Sequence, residues 1–301
     1  MSAGVGERIP LRGELRLNEP LSRHTTWRVG GPAARFYRPA DAEDLAIFLQ
    51  GVDAREPLLW LGLGSNLLVE DAGFAGTVIQ TQGCLNELMC VGSERLRAQA
   101  GVASAKAARY AVRQGLAGIE FLAGIPGTIG GALAMNAGAW GAETWDFVSR
   151  VKTIDRGGRV RERDPEDFKV GYRSVQGPPG EWFLSAELRL AVGDPEVGAN
   201  WIKELLAQRA ATQPTGTANC GSVFRNPPGD RAARLIDSAG LKGFRIGGAL
   251  VSEKHANFII NRGDASAADI LALIDHVRAV VEQQYGIRLV PEVHRVGGGQ
   301  A

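Results

Sequence analysis

Gly124-Ile125-Pro126-Gly127-Thr128-Ile129-Gly130-Gly131-Ala132, continued by Asn136-Ala137-Gly138-Ala139 and closing at Gly141, is the stretch on which the reading of this chain turns. It holds six glycines in 18 residues and no charged side chain. Glycine inside a helix costs about 1 kcal/mol relative to alanine, so such a density needs a reason. One reason is backbone lying close against something flat or anionic, near the start of a short apolar helix that runs through Met135. The other is tight helix–strand packing with no ligand. A second glycine loop favours the ligand. Gly62-Leu63-Gly64-Ser65-Asn66, followed by Leu67, leaves a strand over Leu58 to Leu63 and offers small residues with polar donors. Taken alone, that loop reads as an ordinary strand-ending turn. Neither loop is a full Gly-x-Gly-x-x-Gly or carries a Walker lysine, so Rossmann and P-loop binding are not supported.

Composition narrows the classes around these loops. The 301 residues are 45% hydrophobic and 22% charged, with net charge +1, which suits a globular protein and argues against general nucleic-acid or membrane-surface binding. No apolar run reaches transmembrane length, and Met1 to Pro10 lacks the apolar segment of a signal peptide, so a cytoplasmic protein is expected. Cys84, Cys90 and Cys220 show no paired spacing and read as free thiols. His24, His255, His276 and His294 are scattered, so no metal is expected. Of the 34 basic residues only six are lysine, and arginine supplies planar forks for phosphate and carboxylate.

Outward from the glycine loops, residues 1 to about 20 read as a loose arm. A strand is expected at Arg35 to Pro39, then a helix capped by Asp41 and running through Leu49. Further strands fall at Thr77 to Gln80 and Leu96 to Ala100, and a helix at Ser104 to Gln114. Val151 to Ile154, Arg159 to Glu162 and Phe183 to Leu190 read as sheet, with Gly157-Gly158 as a hairpin turn. Gly193-Asp194-Pro195 suggests a boundary within Val192 to Asn200. Beyond it come helices at Trp201 to Ala211, Arg231 to Ser238 and Ser266 to Tyr285, with strands at Phe258 to Ile260 and Leu289 to Val293. Strands mixed with a few helices, without strict alternation, indicate α+β rather than a doubly wound sheet.

Three further places could carry chemistry. Ser222, in Asn219-Cys220-Gly221-Ser222-Val223-Phe224-Arg225-Asn226-Pro227, reads first as a turn residue, though a tuned serine can donate a proton. Cys220 beside it reads as a small buried hydrophobe. Arg173, in Gly171-Tyr172-Arg173-Ser174, could clamp a carboxylate, although surface exposure is the ordinary fate of an arginine. Glu292, in the last strand, matters only if it faces the same cleft as Ser222 and Arg173.

Together these motifs resemble the UDP-N-acetylenolpyruvoylglucosamine reductase family over nearly the whole chain. The resemblance runs from His24-Thr25-Thr26-Trp27-Arg28-Val29-Gly30-Gly31-Pro32-Ala33, through Leu61 to Val69, Gly118 to Gly141, Tyr172-Arg173, Gly221 to Pro227 and Leu235 to Gly243. It ends at His255-Ala256-Asn257-Phe258-Ile259-Ile260-Asn261 and Pro291-Glu292-Val293. The spacing is similar to that of the shorter subclass, which lacks a loop whose tyrosine covers the substrate.

The resemblance implies a two-lobed FAD-binding region of the vanillyl-alcohol-oxidase/PCMH type over residues 1–195, with lobes at about 20–83 and 84–195. A separate α+β substrate domain would cover 196–301. It implies noncovalent FAD, held by Gly62, Gly64, Ser65, Asn66 and Leu67, by Gly124, Ile125, Pro126, Gly127, Gly130 and Gly131, and by Asn136, Gly138 and Ala139. NADPH would reduce the flavin and leave. UDP-N-acetylglucosamine enolpyruvate would then receive hydride at its methylene carbon and be reduced to UDP-N-acetylmuramate. Arg173 and Glu292 would steady the negative charge that develops beside the carboxylate, and Ser222 would protonate the adjacent carbon. Tyr172, Arg209, Arg225 and Asn226 would hold the substrate. No obligate protein partner is implied.

Two departures stand out. Ser174 follows Arg173 directly where the family usually has one residue between. Arg225 stands where a lysine is common. Two other functions fit the glycine loops: an oxidase on the same scaffold, often with flavin attached through His or Cys, and a non-catalytic binder of flavin or UDP-sugar. The glycine motifs contain no His or Cys for such a link, and a mere binder has no need of Arg173, Ser222 and Glu292 together.

Overall fold

The computed structural model describes residues 10–297. Helices are α1 (Ala42–Gln50), α2 (Ser104–Arg113), α3 (Ile129–Met135), α4 (Pro195–Thr212), α5 (Ala232–Ser238) and α6 (Ala267–Tyr285). Local chemistry sets several of their ends. The Asp41 carboxylate accepts from Asp44 N, and Ser266 and Asp269 form a reciprocal capping box, each such cap being worth about 1 kcal/mol. Gly286, in the left-handed region at φ 67°, closes α6.

The first lobe is a four-stranded sheet in the order Glu14–Pro20, Pro32–Arg38, Phe74–Gln80, Leu58–Leu61. Its first pair is antiparallel and the rest parallel. The strand Glu14–Pro20 corrects the expected loose arm, whose residues 1–9 lie outside the described residues. That strand was hard to read because only one of its seven residues is buried. As an edge strand it is held by its backbone bonds to Pro32–Arg38 rather than by an apolar face. Beneath the sheet, α1 buries Leu45, Phe48 and Leu49, with Phe48 stacked on Tyr37 at a centroid distance of 3.7 Å.

A second, antiparallel sheet of five strands follows the order Val160–Arg163, Val148–Asp155, Glu181–Arg189, Arg95–Gln99, Leu88–Cys90. Its core takes residues from α2 and α3, and also Ile202 from α4. Helix α4 starts at Pro195, not Trp201, because Asp194 caps it and Pro195 fills its first position. Gly193-Asp194-Pro195 is thus a helix start rather than an interruption.

The remainder builds a small three-stranded sheet, Arg245–Ile246, Ala249–Val251 and Ile259–Asn261, under α5 and α6. Its core also holds Trp27, Val29 and Leu68 from the first part of the chain. The Trp27 indole Nε1 donates to Ile259 O at 2.8 Å, and Asn261 Nδ2 donates to Trp27 O at 2.8 Å. The expected strand over Leu289 to Val293 is not formed. Pro291 makes only an isolated bridge to Phe224, and the terminal strand is His294–Val296, parallel to Leu67–Val69. Glu292 therefore sits just before a strand that docks beside the loop Gly62 to Asn66. No helix among the described residues is long and apolar enough to cross a membrane.

Candidate active site

The two glycine loops meet. Ser65 Oγ donates to Pro126 O at 2.7 Å and so staples one loop to the other. Between them and the third unit opens a cavity of about 960 Å³, at the upper end of ordinary ligand sites and large enough for a dinucleotide. Every expected cofactor contact except Gly130 and Asn136 lines it. So do Tyr172, Arg173, Arg209, Ser222, Asn226 and Glu292. A second cavity of about 270 Å³ shares Trp60, Gly62, Gly131 and Ala134 with the first and has Gly130 in its wall.

The glycines divide into two kinds. A Cβ on Gly62 would meet Thr128 Oγ1 at 2.4 Å, one on Gly64 His24 O at 2.1 Å, and one on Gly130 the Ala100 Cβ at 2.9 Å. Those three are required by packing within the protein. A Cβ on Gly131 would find nothing nearer than Thr128 Oγ1 at 3.9 Å, and one on Gly127 nothing nearer than Ser65 Oγ at 3.5 Å. These two leave space for a ligand. Two donors on the wall escape sequence reading. Trp60 Nε1 and Ser104 Oγ are buried, and neither finds a hydrogen-bond partner among the described residues. Unpaired buried donors are costly, and a polar ligand in the cavity would satisfy them. Small loops and orphan donors together fit a flavin dinucleotide.

Arg173 occupies the two-residue turn between Lys169–Gly171 and Ser174–Gln176, with φ 52°. Left-handed backbone costs a non-glycine residue about 1–2 kcal/mol, so something must hold it there. Three of the guanidinium's five N–H groups face acceptors: Nη1 donates to Asn136 O at 3.2 Å, Nη2 to Gly138 O at 2.6 Å, and Nε lies 3.1 Å from Glu292 Oε1. Tyr172, half exposed, lies beside it with its ring centroid 5.1 Å from the guanidinium carbon. Burial pushes the Glu292 carboxyl above its usual value, and the charges of Arg173 and Arg225 only partly oppose this. Glu292 N donates to Val223 O at 2.7 Å, so the residue after Ser222 is backbone-bonded to the glutamate.

Asn257 clamps the same segment. It accepts from Val223 N through its carbonyl and from Phe224 N through Oδ1, and Nδ2 donates to Phe224 O at 2.8 Å. This buried asparagine lay within the motif His255 to Asn261 but carried no sign of a role. Arg209 lies on the cavity wall with its charge disfavoured by burial, and no carboxylate comes within ion-pair distance among the described residues. Cys220 is buried, as expected of a small hydrophobe.

Two expected contacts do not reach the wall of either cavity. Asn136 is buried at the left-handed end of α3, φ 41°, where its side chain bonds Glu143, Gly171 O and Trp145 N. Arg225 instead donates from Nη2 to Arg173 O at 3.1 Å. Asn226 lines the cavity, but its Oδ1 accepts from Ala232 N and caps α5.

Residues 33–163 match the model of an FAD binding domain, and residues 213–296 that of the UDP-N-acetylenolpyruvoylglucosamine reductase C-terminal domain. UDP-N-acetylenolpyruvoylglucosamine reductase of Alkalilimnicola ehrlichii is 61% identical over 297 residues, covering 99% of each chain. The chain belongs to the UDP-N-acetylenolpyruvoylglucosamine reductase family. The reductase of Legionella pneumophila strain Corby is 59% identical, covering 95% of this chain and 93% of its own. The crystal structure of the Thermus caldophilus reductase superposes with a TM-score of 0.79 at 34% identity, covering 95% of this chain and 99% of that one. As a member of this reductase family, the protein is an FAD-dependent oxidoreductase of peptidoglycan precursor synthesis. It reduces the enolpyruvyl group of UDP-N-acetylglucosamine enolpyruvate, on the expected α+β fold with its FAD-binding region.

Proposed function

We propose that NADPH is the reductant and that Arg173, Ser222 and Glu292 carry the reduction of the enolpyruvyl group. Bound FAD would supply the two-electron chemistry between NADPH and the enolpyruvyl double bond. The observation that carries the assignment is the Arg173–Glu292 pair at 3.1 Å in the wall of the cavity that Ser222 also lines. Arg173 holds the enolpyruvyl carboxylate as negative charge builds beside it, and Glu292 orients that guanidinium. Ser222 gives its Oγ proton to the carbon bearing the carboxylate, which completes the saturated lactyl ether.

FAD is held without a covalent link by the backbone of the two glycine loops. Gly127 and Gly131 would leave room for it, and Trp60 Nε1 and Ser104 Oγ are the unpartnered donors of the cavity wall, among the described residues, that would serve its polar groups. The UDP-sugar is held by Tyr172, Arg209 and Asn226. Arg209, on the wall and without an acidic partner among the described residues, is suited to a phosphate. The third unit starts at about residue 213, because α4 packs into the core of the second lobe. The protein acts in the cytoplasm, without an obligate protein partner.

The test is NADPH oxidation by the purified flavoprotein with and without the enolpyruvyl UDP-sugar. Turnover that depends on the sugar is expected. Oxidation that ignores it sinks the assignment.

A further inference from the structure

Arg225 is three residues beyond Ser222, and its backbone N donates to Val290 O at 2.9 Å, two residues before Glu292. Its side chain does not reach the cavity wall. Instead Nη2 donates to the carbonyl of Arg173 at 3.1 Å, and Nε is buried without a partner among the described residues. That carbonyl belongs to the left-handed turn residue, φ 52°, at the tip of a short hairpin. The Arg173 guanidinium is gripped by Asn136 O, Gly138 O and Glu292. Of these contacts, the one from Arg225 reaches the Arg173 backbone from the segment that bears Ser222.

We infer that Arg225 is a positioning residue for the reaction. By its bond to the Arg173 carbonyl it fixes the turn relative to Ser222 and Glu292, and it does not grip the substrate diphosphate. This rests on the reading of Arg173 given above. A planar guanidinium can reach a carbonyl with one nitrogen while the rest stays packed, whereas a lysine offers a compact, strongly hydrated charge. Arginine at this position therefore has a geometric task, not only a charge to supply.

The test is a double-mutant cycle on the FAD-loaded enzyme, using Arg225→Met and, as the milder change, Arg225→Lys, each alone and with Arg173→Ala. Reoxidation of the reduced flavin by the enolpyruvyl UDP-sugar and KM for that sugar are measured. Retention of flavin and its reduction by NADPH report an intact fold. Arg225→Met is expected to slow reoxidation about tenfold or more, with KM within about twofold and flavin reduction unchanged. Arg225→Lys should show a smaller loss of the same kind. In the Arg173→Ala background either change should cost almost nothing more, because Arg225 acts through Arg173. A rise in KM at unchanged kcat, or fully additive losses with Arg173→Ala, overturns the inference while leaving Arg173 in place. Reoxidation at the wild-type rate in Arg173→Ala alone overturns the reading of Arg173 itself, and the positioning role of Arg225 with it.

Discussion

Arg173 and Glu292 form an ion pair, Nε to Oε1 at 3.1 Å, with each side chain under one-fifth exposed. The arginine comes from a hairpin turn of the second lobe and the glutamate from the segment leading into the terminal strand. A largely buried pair whose other guanidinium bonds go to backbone carbonyls is rigid. It offers a fixed charge pattern to an entering carboxylate rather than one that must reorganise.

Ser222→Ala should leave flavin reduction by NADPH nearly intact and slow reoxidation by substrate. Loss of one transition-state donor typically costs about 10²–10³ in rate. Stopped-flow absorbance of the flavin separates the two steps. An equal fall in both would remove Ser222 from the proton-transfer step.

For Glu292 the sign follows from burial. Its folded-state pKa lies above the ordinary 4.5, so the stability it contributes is present below that value and lost as pH rises through the folded one. Glu292→Gln removes that cost at neutral pH and keeps an oxygen for Arg173 Nε. The variant should melt no lower than wild type at pH 8, yet lose reoxidation by about 10² or more. A marked drop in melting temperature with normal reoxidation would contradict both statements.

Gly131 and Gly64 should respond oppositely. Gly131 lies inside α3 with room for a methyl group, so alanine there should stabilise the flavin-free protein by about 1 kcal/mol while weakening FAD retention. Gly64→Ala meets His24 O at 2.1 Å with φ 67° and should destabilise the protein with or without flavin. Thermal melts of both forms and flavin release on dilution check the pair. Full FAD retention in Gly131→Ala would place the cofactor elsewhere.

A stability prediction concerns Asp44, which is fully buried. Burial pushes its carboxyl up, but the Tyr37 hydroxyl and the backbone N–H groups of Arg12 and Ala40 outweigh that and hold it below the ordinary 3.8. Its stabilisation is thus present above 3.8 and lost as pH falls through the folded value. Tyr37→Phe removes one of those donors and should cost about 1–3 kcal/mol at neutral pH, with a shallower fall of stability in acid because the Asp44 pKa moves back toward its unfolded value. Denaturant melts at pH 7 and at a pH below 3.8 measure both.

Much of the site was legible because its signals are local. The density of glycine between Gly124 and Gly141 marked a cavity wall, and the cap residues Asp41 and Ser266 marked helix starts. The division of that glycine set was not legible. Whether a missing Cβ faces Ala100 or open space depends on what the fold brings opposite, and Gly130 and Gly131, adjacent in sequence, differ in this respect.

By itself, then, the amino-acid sequence determined the kind of protein: an α+β chain with two glycine loops and a set of residues whose types suit flavin-dependent reduction. Only the tertiary structure decided how those residues meet. The strand Glu14–Pro20 exists through its pairing, Trp27 is buried in a core built mostly by the last third of the chain, and Arg225 turns to the carbonyl of Arg173 instead of the cavity. Each of these is fixed by partners distant in sequence, and a residue's type carries no information about which distant partner it will find.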